Sequence, residues 1–447
     1  MSSALLDIAR SVVERAAPGE QVEAYASRDS ETSVRIYEGE IEQLISAQSE
    51  GIGVRVIRDG RVGFAYTGVL DAASIDDVLA EARDNATFGT PDEWAGLATP
   101  DGVVPSSLTL WRDDLASFPT EEKIRLATEL EKRTLGRDHR VRVEESSFAD
   151  VLGEAAVATS TGIAASARES ACYVVVSTLA DDGDETQTGF AYSVGRAPDE
   201  LDLEKAAAEA AERATRLLGA TKPSTRKVTV VLDPFVSAQL IGIIGSTLNG
   251  ESVLKGRSLF ANRLGDEVAS TVVTLVDDAT NPLAYTASEV DGEGLATRRN
   301  VLLDRGVLQQ FVQSSYSGRR SGVGSTGNAV RGGFKGTPGC GCLALSLLPG
   351  TRSQAELVRG IDDGVLIQMV SGLHSGVNPV SGDFSTGASG LLIRNGELAG
   401  PVKEFTIAST LQRMLTDVLE VGGDVEWLPM RAAGVSLVVD GLTMSGA

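Results

Sequence analysis

The sequence predicts an α+β protein, with an antiparallel sheet and flanking helices in the first half and a β-rich second half. Short runs of alternating apolar and polar residues, rich in Val, Ile, Thr, Tyr and Phe, recur in both halves. Helical spacing is confined to a few separate stretches. The polar, Pro-containing segment GATKPST at 219–225 follows one of them and divides the chain into domains at about 1–220 and 225–447.

Residues 4–17 place Leu5, Ile8, Ala9, Val12 and Ala16 on one helical face, and Pro18-Gly19 stops the helix. Residues 22–67 change to short β-rich runs, with Asp59-Gly60 as a hairpin turn between IGVRVIR and RVGFAY. Residues 71–84 return to helix, capped by Asp71 or Ser74. The irregular segment 90–118 precedes a helix from Glu121 to about Arg133 with Thr120 as N-cap. Residues 140–195 alternate as strands, and the Ala-rich 202–218 reads as helix. In the second half, 271–277, 300–304, 307–312, 342–347, 390–394 and 435–440 read as strands. Residues 353–363 and 406–421 read as helices. The architecture expected there is an open or barrel-like β structure with long functional loops. No internal repeat or low-complexity tract occurs.

Composition removes several function classes. The 447 residues carry a net charge of −22, which repels phosphate backbones and argues against direct nucleic-acid contact. Three cysteines, Cys172, Cys340 and Cys342, are too few for a disulfide-stapled secreted domain. The start MSSALLDIARSVVERAAPGE has no long apolar core of a secretory signal. The most apolar stretch, 228–244, holds Asp233 and Pro234 and fails as a membrane span. The expectation is a soluble cytoplasmic protein with no membrane contact. Its two histidines, His139 and His374, leave little for the usual hydrolytic sites.

The candidate chemistry is sparse. Cys340-Gly341-Cys342 offers two thiolates but no further nearby ligand. His374 lies in GLHSGVNPVSGDFS, a run of tight turns in which a loop could bind a substrate or partner. His139 sits in the charged run RDHR and reads as surface. The Gly-rich 322–333 lacks both the phosphate-loop and the dinucleotide pattern. Asp277, Asp278, Glu289, Asp291 and Glu293 offer carboxylates but fix no catalytic pair, and the overall charge favours a solvated acidic surface.

The block 370–446, with NPVSGDFS, IRNGEL, PVKEFTIA and the closing GLTMSG, resembles the TldD/TldE (PmbA) family. ETSVRIYEGEIEQLISAQSEGIGVRVIRDGRVGFAYT resembles that family's N-terminal domain. The resemblance implies a TldD/PmbA-like fold and a part in a heterodimeric zinc metalloprotease acting on short or unfolded peptides, in peptide maturation or antitoxin degradation. TldD-type subunits carry a His-Glu-x-x-x-His helix and a distant Cys ligand. With KGRSLF at 255–260 setting the register, Ile241, Gly242 and Ser246 stand at the three motif positions, and no Cys follows Cys342. The resemblance therefore implies the TldE/PmbA branch: a subunit with no cofactor or catalytic residue of its own and zinc in a TldD-like partner. Gly327, Asn328, Arg331, His374, Asn378, Ser381, Asp383 and Phe384, in the two Gly-rich loops, are the candidates for lining a groove for extended peptides or meeting the partner. Two alternatives stay open: a stand-alone hydrolase using His374, Asp383 and Ser381 or a metal on Cys340 and Cys342, and a protein-binding scaffold or gyrase modulator. Whether the chain also forms homodimers is open as well.

Overall fold

The computed structural model describes residues 4–446. Its first half is α1 (Ala4–Val13), β1 (Gln21–Tyr37), β2 (Glu40–Arg58), β3 (Arg61–Thr67), α2 (Ala72–Phe88), α3 (Asp113–Ala116), α4 (Thr120–Leu135), β4 (Val141–Thr159), β5 (Ala164–Asp182), β6 (Glu185–Gly195) and α5 (Leu203–Thr215). The six strands form one antiparallel sheet in the order β3-β2-β1-β4-β5-β6. The short runs seen in sequence join into long strands, 17 residues in β1 and 19 in β2. Asp59 and Gly60 both take positive φ in the β2–β3 turn, as a type I′ hairpin requires.

Side chains alternate between the faces of a strand. On β1, Val22, Ala24 and Ala26 pack with Leu5, Ala9 and Val12 of α1 and Ile75, Val78 and Leu79 of α2. Further along the same face, Val34 and Ile36 pack with Ala127 and Leu130 of α4 and Ala206, Ala207 and Ala210 of α5. All four long helices thus cover one face of the sheet, leaving the other face to the second half of the chain. Asp71 caps α2 by accepting from Ser74 N at 2.8 Å. Thr120 is the first helical residue of α4, and Pro119 rather than Thr120 is its N-cap.

The second half is β7 (Arg226–Leu232), α6 (Pro234–Thr247), α7 (Gly250–Leu254), β8 (Leu275–Asp278), β9 (Arg299–Asp304), β10 (Val307–Leu308), α8 (Ser315–Ser321), β11 (Ala329–Val330), β12 (Gly339–Cys340), β13 (Leu345–Leu347), α9 (Gln354–Arg359), β14 (Asp363–Ser371), α10 (Leu373–Gly376), β15 (Asp383–Arg394), β16 (Glu397–Thr410), α11 (Leu411–Thr416), β17 (Val418–Val421) and β18 (Leu437–Ser445). The larger sheet runs β16-β15-β14-β7-β18-β17, and β16 also pairs with β18 through Thr406, Ile407 and Ala408. Those last pairs close five strands into a ring, so the barrel-like alternative is the one realised. A smaller sheet, β10-β9-β8-β13, lies beside it, and α6 packs between the two through Leu240, Ile241, Ile244 and Leu248.

Several boundaries differ from expectation. The helix expected over 406–421 is the end of β16, the short α11 and β17. Leu411, Met414, Leu415 and Val418 are spaced like one helical face, but only the first three are helical, in α11, and Val418 begins β17. The strands expected at 271–277, 307–312 and 342–347 shrink to four, two and three residues, because tertiary loops rather than ladders satisfy the flanking backbone. The helix expected at 353–363 is only α9.

Candidate functional site

The residues aligned with the zinc motif lie on α6. Asp233 starts this helix by accepting from Phe235 N at 3.1 Å, and Pro234 occupies its first position. Ile241 is 2 % exposed and belongs to the apolar core. Gly242 and Ser246 face outward, where a Cβ on Gly242 would meet nothing within 4 Å. Ser246 donates its hydroxyl to Ile243 O at 2.6 Å. One position therefore points into the core and two point away from it. Zinc takes nitrogen, sulfur or carboxylate donors, and Ile, Gly and Ser supply no such set. Among the described residues no group of three or more His, Cys, Asp or Glu is placed to hold a metal. These residues do not fit a catalytic zinc, and no step through one is derived for this chain.

The cysteines are committed to packing. Cys340 Sγ donates to Val312 O at 3.2 Å and Cys342 Sγ to Gly245 O at 3.5 Å, both within the core of the second half. Burial pushes the Cys340 thiol up to about 11, the Cys342 thiol well above its ordinary value and the Cys172 thiol up to about 12. Thiolates are the ligands and nucleophiles, so these thiols are poor at either task. At about pH 8 a thiol reagent is expected to label none of them quickly in the folded chain and all three after unfolding. Fast labelling of Cys340 or Cys342 in the native state would contradict the packing role.

The loop carrying His374 is exposed, and its parts do not form a catalytic relay. Ser381 Oγ donates directly to Asp383 Oδ2 at 2.6 Å, and among the described residues no hydrogen bond joins His374 to either. A Ser-His-Asp relay needs the imidazole between the other two. Asn378 shapes the turn, accepting from Val380 N and Ser381 N at 2.9 and 3.1 Å. Phe384, expected at a groove or interface, is buried in the barrel core, because β15 begins at Asp383 and Phe384 is its first inward-facing residue. His139 is exposed, as its charged surroundings suggested.

A cavity of about 630 Å³ lies between the uncovered face of the N-terminal sheet and the loops of the second half. The first Gly-rich loop contributes residues 329–333 to its wall; the loop 371–386 contributes nothing. The two candidate loops are therefore not brought together there. Arg331 reaches across the cavity wall to β1. Its Nη2 donates to Glu23 Oε1 at 2.5 Å, and its guanidinium lies 4.4 Å from the centre of the Tyr25 ring. Arg55 of β2 donates to Glu23 Oε2 at 2.6 Å. Gly327 holds a positive φ where a Cβ would come within 2.4 Å of Ala296 O. Asn328, expected at a groove, is 0 % exposed and forms part of the scaffold behind the wall. It donates to Asp277 Oδ2 at 2.6 Å and accepts from Asn300 Nδ2 at 2.9 Å.

The carboxylates expected on a solvated surface are mostly internal: Asp277, Asp291 and Glu293 are buried. They fold inward because backbone amides pay their desolvation. Asp291 accepts from Glu293 N, Leu295 N and Ala329 N at 2.9–3.0 Å. Glu293 accepts from Ser315 N at 2.9 Å. Burial, with Glu293 adding like charge, pushes the Asp291 carboxyl up to about 7. A raised carboxyl contributes stability that is present below its unfolded value of 3.8 and lost as pH rises through about 7. Asp291→Asn is expected to remove that slope, up to about 1.4 kcal/mol per pH unit, from urea midpoints compared between about pH 4 and 7. An unchanged slope in the variant would contradict the assignment.

Sequence reading passed over Glu23, Arg55, Asp29 and Glu169, all of which sit on strands. The one available signal is the polar and acidic run Glu23, Tyr25, Ser27, Asp29 and Glu31 at successive odd positions of β1.

Comparison with known proteins follows the same lines. The chain matches the PmbA/TldA metallopeptidase domain 1 over residues 22–86, the central domain over 113–218 and the C-terminal domain over 225–446. It is 28 % identical to the metalloprotease PmbA of Escherichia coli, covering 90 % of this chain and 88 % of that protein. It is also 28 % identical to a metalloprotease PmbA homolog of Haemophilus influenzae, over 96 % and 93 %. A Thermotoga maritima structure described as a candidate modulator of a DNA gyrase superposes with a TM-score of 0.90 at 25 % identity, over 98 % of this chain and 99 % of that one. TldE from Thermococcus kodakarensis shares the fold, with a TM-score of 0.90 at 24 % identity over 99 % and 100 %. On these matches the chain belongs to the TldD/TldE (PmbA) metallopeptidase family.

Proposed function

We propose that this chain is the non-catalytic, TldE-like subunit of a heterodimeric zinc metallopeptidase that hydrolyses short or unfolded peptides. The observation carrying the reading is α6, where the family resemblance places a metal-binding and basic motif and the chain has Ile241, Gly242 and Ser246. The partner is a TldD-like subunit that supplies zinc and the general base. This chain supplies walls: a peptidase confined to unfolded chains needs an enclosed groove, and the cavity under the N-terminal sheet extends one. The exposed loop 371–386, with His374, Asn378, Ser381 and Val380 at the surface, is the contact offered to the partner. Three unpaired thiols suit the reducing cytoplasm as the site of action. No helix among the described residues is long and apolar enough to cross a membrane.

The test is reconstitution. The isolated chain is expected to hydrolyse no unstructured peptide, and its mixture with a TldD-like partner to do so until a chelator is added. Chelator-sensitive hydrolysis by the isolated chain would overturn the reading. Hydrolysis by the isolated chain that His374→Ala abolishes would instead establish a rebuilt site on the exposed loop.

A further inference from the structure

Three neighbouring strands carry one row of residues across the cavity floor. Asp29 on β1 is the cross-strand partner of Gly153 on β4, and Gly153 is the partner of Glu169 on β5. Direct partners share a face of the sheet. A Cβ built on Gly153 would lie 3.3 Å from Asp29 Oδ1 and 4.0 Å from Glu169 Oε1. The glycine therefore leaves a notch with a carboxylate on either side, open to the cavity.

Neither carboxylate forms an ion pair among the described residues. The cation acting on Glu169 is Arg196, but its guanidinium donates to Ser170 O at 3.1 Å and Ala284 O at 2.8 Å. Crowding by the cavity walls raises both carboxyls, although Glu169 keeps an exposed side; at Asp29 the Ser27 hydroxyl offsets part of the rise and Glu31 adds to it, and Asp29 adds to the rise at Glu169. A second observation is the hydroxyl beside them. Ser27, two residues along the same face, lines the cavity and is 2 % exposed; its hydroxyl acts on Asp29 but makes no hydrogen bond of ordinary geometry. Buried hydroxyls are nearly always bonded, so this one calls for a partner from the cavity.

The chemistry of the ligand follows from the donors it must bring. A divalent cation wants six or more oxygens, and no three-carboxylate group is present among the described residues. A guanidinium prefers one carboxylate, gripped by two parallel bonds. A primary ammonium has one charge and three donors, which matches two carboxylates and a hydroxyl. We infer that Asp29, Gly153 and Glu169, with Ser27, form a seat for a primary ammonium group of an extended peptide, either its α-amino terminus or a lysine side chain. This rests on the reading that the chain serves peptides.

The test is titration of the full chain, alone and with its TldD-like partner, with three unstructured peptides of one length. One has a free amino terminus and no lysine, one is N-acetylated with a single lysine, and one is N-acetylated without lysine. The third is expected to bind about tenfold more weakly, or worse, than at least one of the others, and the tighter of those two identifies the source of the ammonium. The double variant Asp29→Asn/Glu169→Gln removes only unpaired charge, so it keeps the fold, and it is expected to abolish the discrimination. Gly153→Ala, which fills the notch and keeps both charges, is expected to weaken binding of the preferred peptide. Equal binding of all three peptides, or discrimination that survives the double variant, would overturn the seat and leave the peptide reading intact. Cleavage by the complex without any binding to this chain would do the same. Neither binding nor cleavage of any peptide would overturn both.

Discussion

Replacing Glu23 by Gln is expected to destabilise the folded chain by about 3–5 kcal/mol, the usual cost of removing one partner from a buried ion pair. Glu23 is 1 % exposed and accepts from two guanidiniums, Arg55 at 2.6 Å and Arg331 at 2.5 Å. Arg55 belongs to the N-terminal sheet and Arg331 to the second half, so the carboxylate also ties the halves together. Burial alone would raise its pKa, but Arg331 and Arg55 together override burial and hold it below 4.5. A carboxyl lowered in this way contributes stability above about pH 4.5, and that stability is lost as pH falls through the lower folded value. Urea denaturation at neutral pH should therefore show the full loss in the variant. The difference from the parent should shrink on acidification. A loss below about 1 kcal/mol, as for an exposed pair, would mean that the guanidiniums find other partners and the junction is not held here.

Asp277→Ala is expected to cost at least about 3 kcal/mol, because each buried donor left unmet costs about 1–3 kcal/mol. Its Oδ1 accepts from Leu343 N and Ala344 N, both at 2.8 Å, and its Oδ2 from Asn328 Nδ2 at 2.6 Å. Removing the carboxylate leaves both amides without an acceptor and Asn328 Nδ2 with only Gly341 O, at 3.2 Å. Asn328 in turn holds Asn300 and Thr326, so the cavity wall at 329–333 should loosen too. Hydrogen exchange of Ala329 and Val330 reads that loosening directly. Asp278→Ala is the control: Asp278 is only half-buried and serves its own turn, through Thr280. Equal effects from the two variants would show that Asp277 has no special place in the scaffold.

The parts legible in sequence were those governed by local chemistry. The Asp59-Gly60 hairpin, the Asp71 cap and the helical faces of α1, α2, α4 and α5 follow from residues within one or two turns of each other. The cavity follows from none of these. Glu23, Tyr25 and Ser27 alternate with Ala24 and Ala26 as a solvated strand face would, and only the second half of the chain turns that face into an interior. The same reason accounts for Asp277, Asp291 and Glu293. A net charge of −22 makes any acidic residue look like surface, while the amides that receive these three come from loops distant in sequence. At α6 the resemblance only sets Ile241, Gly242 and Ser246 against the family motif; the division of Ile241 inward and Gly242 and Ser246 outward comes from the packing of the barrel against the smaller sheet.

The central claim is that α6 cannot hold a catalytic metal. The most direct measurement is zinc per chain in protein purified alone, without chelator, and then equilibrated with excess zinc and desalted. The expected value is near zero for this chain and near one for a TldD-like partner treated identically. A value near one for this chain alone, lowered when Ser246 is replaced by Ala, would contradict it.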